Sequence, residues 1–181
     1  MNDIDALASI LLEESKRFLE KAQETSDDTA IHAFLHASLS LGFSSLEAHI
    51  NSIVDDQLER TDLSVHERAF LSERKVDLRQ GVFTLQESLQ MQRIDDRIAL
   101  LWTRCSVEDA FDYQSSTWSH LKDGIRLRNA LTHPKEAMGL TIDQVGRTIS
   151  AIIDIIDTAF QRIYGKRLPA KNRGLQSSLS F

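Results

Sequence analysis

Apolar residues recur every three to four positions along most of this chain, the spacing of one helix face and not the alternation of a strand. Leu7, Ile10, Leu11, Phe18 and Leu19 predict a first amphipathic helix from Asp3 to about Gln23. Ser26-Asp27-Asp28 then supplies a turn and an N-cap signal, because short polar side chains accept from the free N–H groups of a first helical turn. The helical pattern resumes at Thr29 and runs without proline to about Arg60, with Leu35, Leu39, Phe43, Leu46, Ile50, Ile53 and Val54 on one face. Asp62-Leu63 interrupts it. Ser64-Val65-His66-Glu67 has the form of a capping box and opens a shorter helix near 64–74. Gly81 marks a further break. Leu85, Leu89, Ile94, Ile98 and Leu101 predict a helix over 84–103, followed by a short helical turn and loop over 106–116. Two more helices follow, one from Trp118 to Thr132 and one from Thr141-Ile142-Asp143 to about Tyr164. The latter carries Ile149, Ile152, Ile153, Ile156 and Phe160 on its face.

Together these elements predict an all-α fold, a bundle of four or five main helices over residues 1–165. Residues 166–181 are read as a basic, flexible tail. The 181 residues are enough for one domain with a sizeable core, and two prolines and seven glycines favour long helices over many short strands. No apolar run approaches the roughly 18 residues of a membrane span, so no membrane partner is expected. The start, Met1-Asn2-Asp3-Ile4-Asp5, is acidic where a signal peptide is basic, which makes the cytoplasm the expected compartment. The single cysteine, Cys105, has no internal disulfide partner and is given no chemical role.

Charge narrows the functional classes. A formal net charge of −6 has the wrong sign for a protein that coats nucleic acid nonspecifically, but it leaves room for a local basic cleft. Arg126, Arg128, Lys135 and Arg147 could supply one around His133. Lys166, Arg167, Lys171 and Arg173 make the tail basic, and a supporting RNA contact there is the lesser reading of it.

The segment Arg128-Asn129-Ala130-Leu131-Thr132-His133-Pro134 gathers, within six positions, residue types that bind and cleave a phosphodiester. At about 100° per residue, Gly124, Leu127 and Leu131 share one arc of the helix and Trp118, Leu121 and Ile125 the adjoining one. Arg128 falls between them, inside the apolar sector, while Lys122, Asp123 and Arg126 point away. A permanent cation there requires a carboxylate, a ligand or a polar cleft. Pro134 disfavours helical geometry at His133, so the helix is expected to stop there, with Asn129 one turn back on nearly the same face. On the second helix, Ser40, Ser44, Glu47 and Asn51 form a polar stripe along the apolar face. Glu47 is the candidate partner of Arg128.

Arg128 and Asn129, followed by His133 and Pro134, resemble the signature of the HEPN superfamily, in which an arginine, often with a polar residue after it, precedes a histidine by a few positions. The position of the motif on a late helix, and Ser44-Ser45-Leu46-Glu47-Ala48 on a long earlier one, fit the resemblance, which covers roughly residues 5–165. It implies a small helical bundle and a metal-independent endoribonuclease, of the kind found in toxin–antitoxin and phage-defence systems. Arg128 would hold the phosphate, His133 would serve as general acid or base, and Asn129 would bind the phosphate or orient the histidine. Glu47, Ser44, Arg126 and Lys135 would contact substrate. No cofactor is implied. RNA and a second copy of the chain, completing a composite site, are the implied partners; a toxin would also need an antitoxin protein.

Other patterns compete less well. His32 and His36, with Asp28 one turn earlier, have metal-ligand spacing but no further matched ligand, and His49 lies too far along to join them. Asp55-Asp56 and Asp95-Asp96 are adjacent acids that diverge around a helix, and the run Arg93 to Arg97 reads as a solvated face with internal ion pairs. No phosphate-binding glycine loop, dinucleotide fingerprint, CxxC pair or nucleophile elbow is present. Two plainer readings of the motif stand beside catalysis. His133 could merely cap helix carbonyls while Arg128 bridges to Glu47 inside one bundle, or the bundle could bind nucleotide, RNA or a protein without cleaving.

Overall fold

The computed structural model describes residues 3–105, 110–135 and 139–181. Helices dominate them: α1 (Asp3–Glu24), α2 (Asp28–Leu58), α3 (Val65–Leu71), α4 (Ile94–Cys105), α5 (Ser116–Thr132) and α6 (Ile142–Tyr164). A two-stranded antiparallel sheet, β1 (Arg74–Arg79) and β2 (Val82–Leu89), and a 3₁₀ turn (Pro169–Arg173) complete them. None of the described helices is long and apolar enough to cross a membrane. The chain divides into two compact units, residues 1–49 with 112–181 and residues 50–111.

In the first unit, α2 buries a broad face: Leu35, Ser38, Leu39, Phe43, Ser45, Leu46 and His49 are all inside. Close approach makes this workable. A Cβ on Gly42 would lie 2.3 Å from Ile149 Cδ1, so a larger residue there would force Ile149 into another rotamer where α6 passes. The buried seam of α1 is Ala8, Leu12, Ser15, Leu19 and Ala22, whereas Leu7 and Ile10, expected on the apolar face, are more than half exposed. Small residues fix that phase, because the Ser15 hydroxyl donates to Ser38 O and the Ser45 hydroxyl to Ala8 O, both at 2.8 Å. From α6, Val145, Ile149, Ile152, Ile153 and Ile156 fill the interior. Thr141 opens α6 with a reciprocal capping box to Gln144, and Gly165 ends it in the left-handed conformation at φ 65°.

Residues 166–181, expected as a flexible tail, have defined partners in this unit. Leu168 is buried and donates its N–H to Asp157, Lys171 pairs with Asp154, and Arg173 pairs with Glu13 at 2.7 Å. Lys16, fully buried, bonds Glu13 and the carbonyls of Ala170 and Gln176. Burial pushes the Glu13 carboxyl up, but the Ser178 N–H and the Lys16 and Arg173 side chains outweigh it and hold the pKa at about 2.

The second unit corrects three expectations. A helix over 84–103 is replaced by a hairpin and the shorter α4. Gln80 and Gly81 both have positive φ, 51° and 81°, the requirement of a two-residue turn whose twist matches its strands. Val76 pairs with Leu85 and Leu78 with Phe83, so the local apolar period is two. The fold is therefore mostly helical with one small sheet. Likewise α3 stops at Leu71, because Glu73 is left-handed at φ 54° and leads into β1. The capping box of Ser64 and Glu67 is present as read. The run from Arg93 to Arg97 is a solvated face only in part: Arg93 and Asp96 are exposed and Arg93 pairs with Asp95 and Asp96, whereas Asp95 and Arg97 are buried. Arg97 donates to Asn51 Oδ1 and Leu71 O and pairs with Glu73, which satisfies its charge inside. Residues 106–109, part of the expected turn and loop, lie outside the described residues, and 110–115 are not helical.

Candidate functional site

The motif helix α5 is set at both ends. Ser115 caps its start, accepting from Trp118 N–H at 3.2 Å. His133 closes its end at φ −127° and ψ 65°, outside helical geometry as Pro134 demands, with its N–H still donating to Asn129 O. Trp118, Leu121 and Gly124 are buried, and Ile125, Leu127 and Leu131 partly so. The apolar sector lies where the 100° spacing placed it, and Arg128 is half-buried within it.

Arg128 is held from three sides. Its Nη2 donates to Glu47 Oε1 at 2.6 Å, its Nη1 to Asn129 Oδ1 at 3.3 Å, and its guanidinium carbon lies 5.8 Å from the centre of the Phe43 ring. Phe43 stands one helical turn before Glu47 on α2, so one face of α2 offers both a carboxylate and an aromatic floor. Arg128 and Glu47 side chains each keep 37% of their surface exposed. The cation is thus paired and still reachable from solvent.

The remaining expected site residues are arranged more loosely. Ser44 is exposed on α2, one turn before Glu47. His133 and Lys135 are exposed beyond the end of α5, and His133 is tied to Asn129 through the backbone alone. Arg126 points to solvent and pairs with Asp123 at 2.6 Å. Hydrogen bonds therefore gather Arg128, Asn129 and Glu47, and they leave His133, Arg126, Lys135 and Ser44 as an accessible fringe. Phe43 was not singled out from sequence, where it reads as one more core position of α2.

The competing groups have ordinary surroundings. His32 and His36 have ring centres 6.4 Å apart, and no group of three or more His, Cys, Asp or Glu among the described residues is placed to hold a metal ion. His49 is buried with its Nδ1 2.9 Å from Ser45 O, and burial pushes its pKa down. Burial pushes the Cys105 thiol up, away from the reactive thiolate.

No protein-family model, no curated protein and no solved structure matches this chain.

Proposed function

We propose that this protein is a metal-independent endoribonuclease of HEPN type, acting as a homodimer whose two motifs share one composite cleft. The observation that carries this reading is the half-exposed Arg128, fixed by Glu47 and Phe43 and hydrogen-bonded to Asn129, with His133 exposed at the end of the same helix. An arginine so oriented can bind a phosphate with two parallel N–H groups and stabilise the charge that grows on it.

In the reaction, a base removes the proton of a 2′-hydroxyl and the 2′-oxygen attacks phosphorus. The bond to the 5′-oxygen breaks, and an acid protonates that oxygen. The products carry a 2′,3′-cyclic phosphate and a 5′-hydroxyl. His133 takes one proton-transfer role, an effect of about 10²–10⁴ in rate, and the second copy's histidine takes the other. Asn129 bonds the phosphate or steers His133. Ser44, Arg126 and Lys135 contact the flanking strand, and Glu47 orients Arg128. A toxin or phage-defence effector neutralised by an antitoxin protein is the biological role that fits such chemistry, with the cytoplasm as its compartment.

The ion pair itself favours a second reading, a HEPN-like bundle that binds RNA, nucleotide or a protein without cleaving, because Glu47 already neutralises Arg128. The discriminating experiment incubates the purified protein with a mixed RNA pool in EDTA beside His133→Ala. Cleavage to cyclic-phosphate ends, lost in the variant, supports the ribonuclease. No cleavage by the unmodified protein at high concentration transfers the weight to the binding module.

A further inference from the structure

On the solvent side of the α5–α6 contact lies a groove of about 260 Å³. α5 contributes His120, Asp123 and Arg126; α6 contributes Asp143, Gln144 and Arg147. Its floor is Leu127 and Thr148, at the level where Gly124 lets the two helices close up. The functional site described above uses Arg126 alone of these side chains.

The charges define what the groove can take. Arg126 pairs with Asp123 at 2.6 Å and Arg147 with Asp143 at 2.7 Å, each pair within one helix and each member more than half exposed. Exposed pairs of this kind are weakly held, so all four groups can turn toward a ligand. Two guanidiniums against two carboxylates balance. A phosphate entering the groove would meet as many anions as cations, which favours a neutral group carrying both donors and acceptors. Gln144 Oε1 is engaged by the Thr141 N–H and hydroxyl, which leaves its amide nitrogen as a donor. The part-buried His120 adds a flat ring on which a planar ligand can stack.

We infer that this groove holds a guanine base of single-stranded RNA, its O6 and N7 acceptors met by the guanidiniums and its N1–H and N2 amino donors met by the carboxylates. Guanine is the base with a two-acceptor edge suited to arginine beside a run of donors suited to carboxylates, which only accept. The inference rests on the ribonuclease reading for its biological sense. Arg126 lies about 60° around α5 from Asn129, so a strand held at Arg128 and Asn129 can pass a neighbouring base toward the groove.

The test is a calorimetric titration of 5′-GMP, 5′-AMP, 5′-CMP and 5′-UMP into the full chain and into Arg147→Ala and Asp143→Asn. Both positions are exposed on α6, and circular dichroism checks that each variant stays folded. GMP should bind about tenfold or more tighter than the other three, and each variant should lose about tenfold or more of that affinity. Absence of GMP binding, equal binding of all four, or GMP affinity unchanged in both variants overturns the inference. Mapping the cut sites in an RNA pool separates the two proposals. Cleavage with no bias toward guanine, together with no GMP binding, removes the base pocket and leaves the ribonuclease. Selective GMP binding by a protein that cuts no RNA keeps the pocket and removes the ribonuclease.

Discussion

A methyl group on Gly124 would stand 2.2 Å from Thr148 Cγ2 and 2.8 Å from Thr148 Oγ1, so α5 and α6 meet where one residue has no side chain. Gly124→Ala should therefore destabilise the fold by about 1–3 kcal/mol through overpacking, although alanine is the better helix former by about 1 kcal/mol. Adding Thr148→Ala should recover most of the loss, a strongly non-additive pair in urea denaturation. A single variant as stable as the parent would show that the helices can slide apart freely.

Arg128→Ala should separate stability from activity. The Arg128–Glu47 pair is more than a third exposed, so its loss, with the contact to Phe43, should cost no more than about 1–2 kcal/mol. RNA cleavage should fall to background. Glu47→Gln keeps a hydrogen-bond acceptor and should retain part of the activity. If Arg128→Ala unfolds the protein instead, the arginine is a structural strut.

His49 links stability to pH. Burial holds its imidazole below the ordinary 6.5, partly offset by the hydrogen bond to Ser45. The folded chain therefore keeps it neutral where the unfolded chain binds a proton. The resulting stability is present above pH 6.5 and is lost as pH falls through the lowered folded value. In NMR the His49 ring proton signal should shift at a lower pH in the folded chain than in the unfolded one, and a midpoint at or above 6.5 would count against the linkage.

Glu13 sets a more acidic limit. Its carboxyl is displaced from 4.5 to about 2, worth roughly 3 kcal/mol when fully expressed. That contribution is complete above pH 4.5 and disappears as pH falls to about 2. Glu13→Gln should release the C-terminal segment at neutral pH, because Arg173 and the buried Lys16 lose their carboxylate. Trypsin should then cut after Lys171 and Arg173 faster than in the parent, and equal rates would count against Glu13 as the anchor.

The sequence announced its helices where caps and punctuation were strong. Ser64 with Glu67, Thr141 at the head of α6, and Pro134 behind α5 all act as their chemistry requires. It misled where two periods overlap. Leu85 and Leu89 are four apart and fit a helix, yet Val76, Leu78, Phe83 and Leu85 around Gln80-Gly81 obey the period of a hairpin. In α1, large residues at 7 and 10 drew attention from the seam of Ala8, Leu12 and Ser15, which is set by how close a neighbouring helix must come. The pairing of Arg128 with Glu47 was legible because a cation in an apolar sector demands an anion. Phe43 beneath it was not, since an aromatic in a helix face gives no sign of what it supports. Burial of Lys16 and Arg97 was equally hidden, because the carbonyls of Ala170 and Gln176 that help hold Lys16, and the Asn51, Leu71 and Glu73 groups that hold Arg97, lie far along the chain.

The carboxylate on Arg128 has a consequence for any anion that approaches. The guanidinium is already engaged by Glu47 Oε1, so an incoming phosphate would have to arrive by exchange, displacing one anion to make room for another. A site of that kind would discriminate by competition. A simple monovalent anion gains little by replacing a tethered carboxylate, while a group with two well-spaced oxygens and further contacts alongside can win the trade.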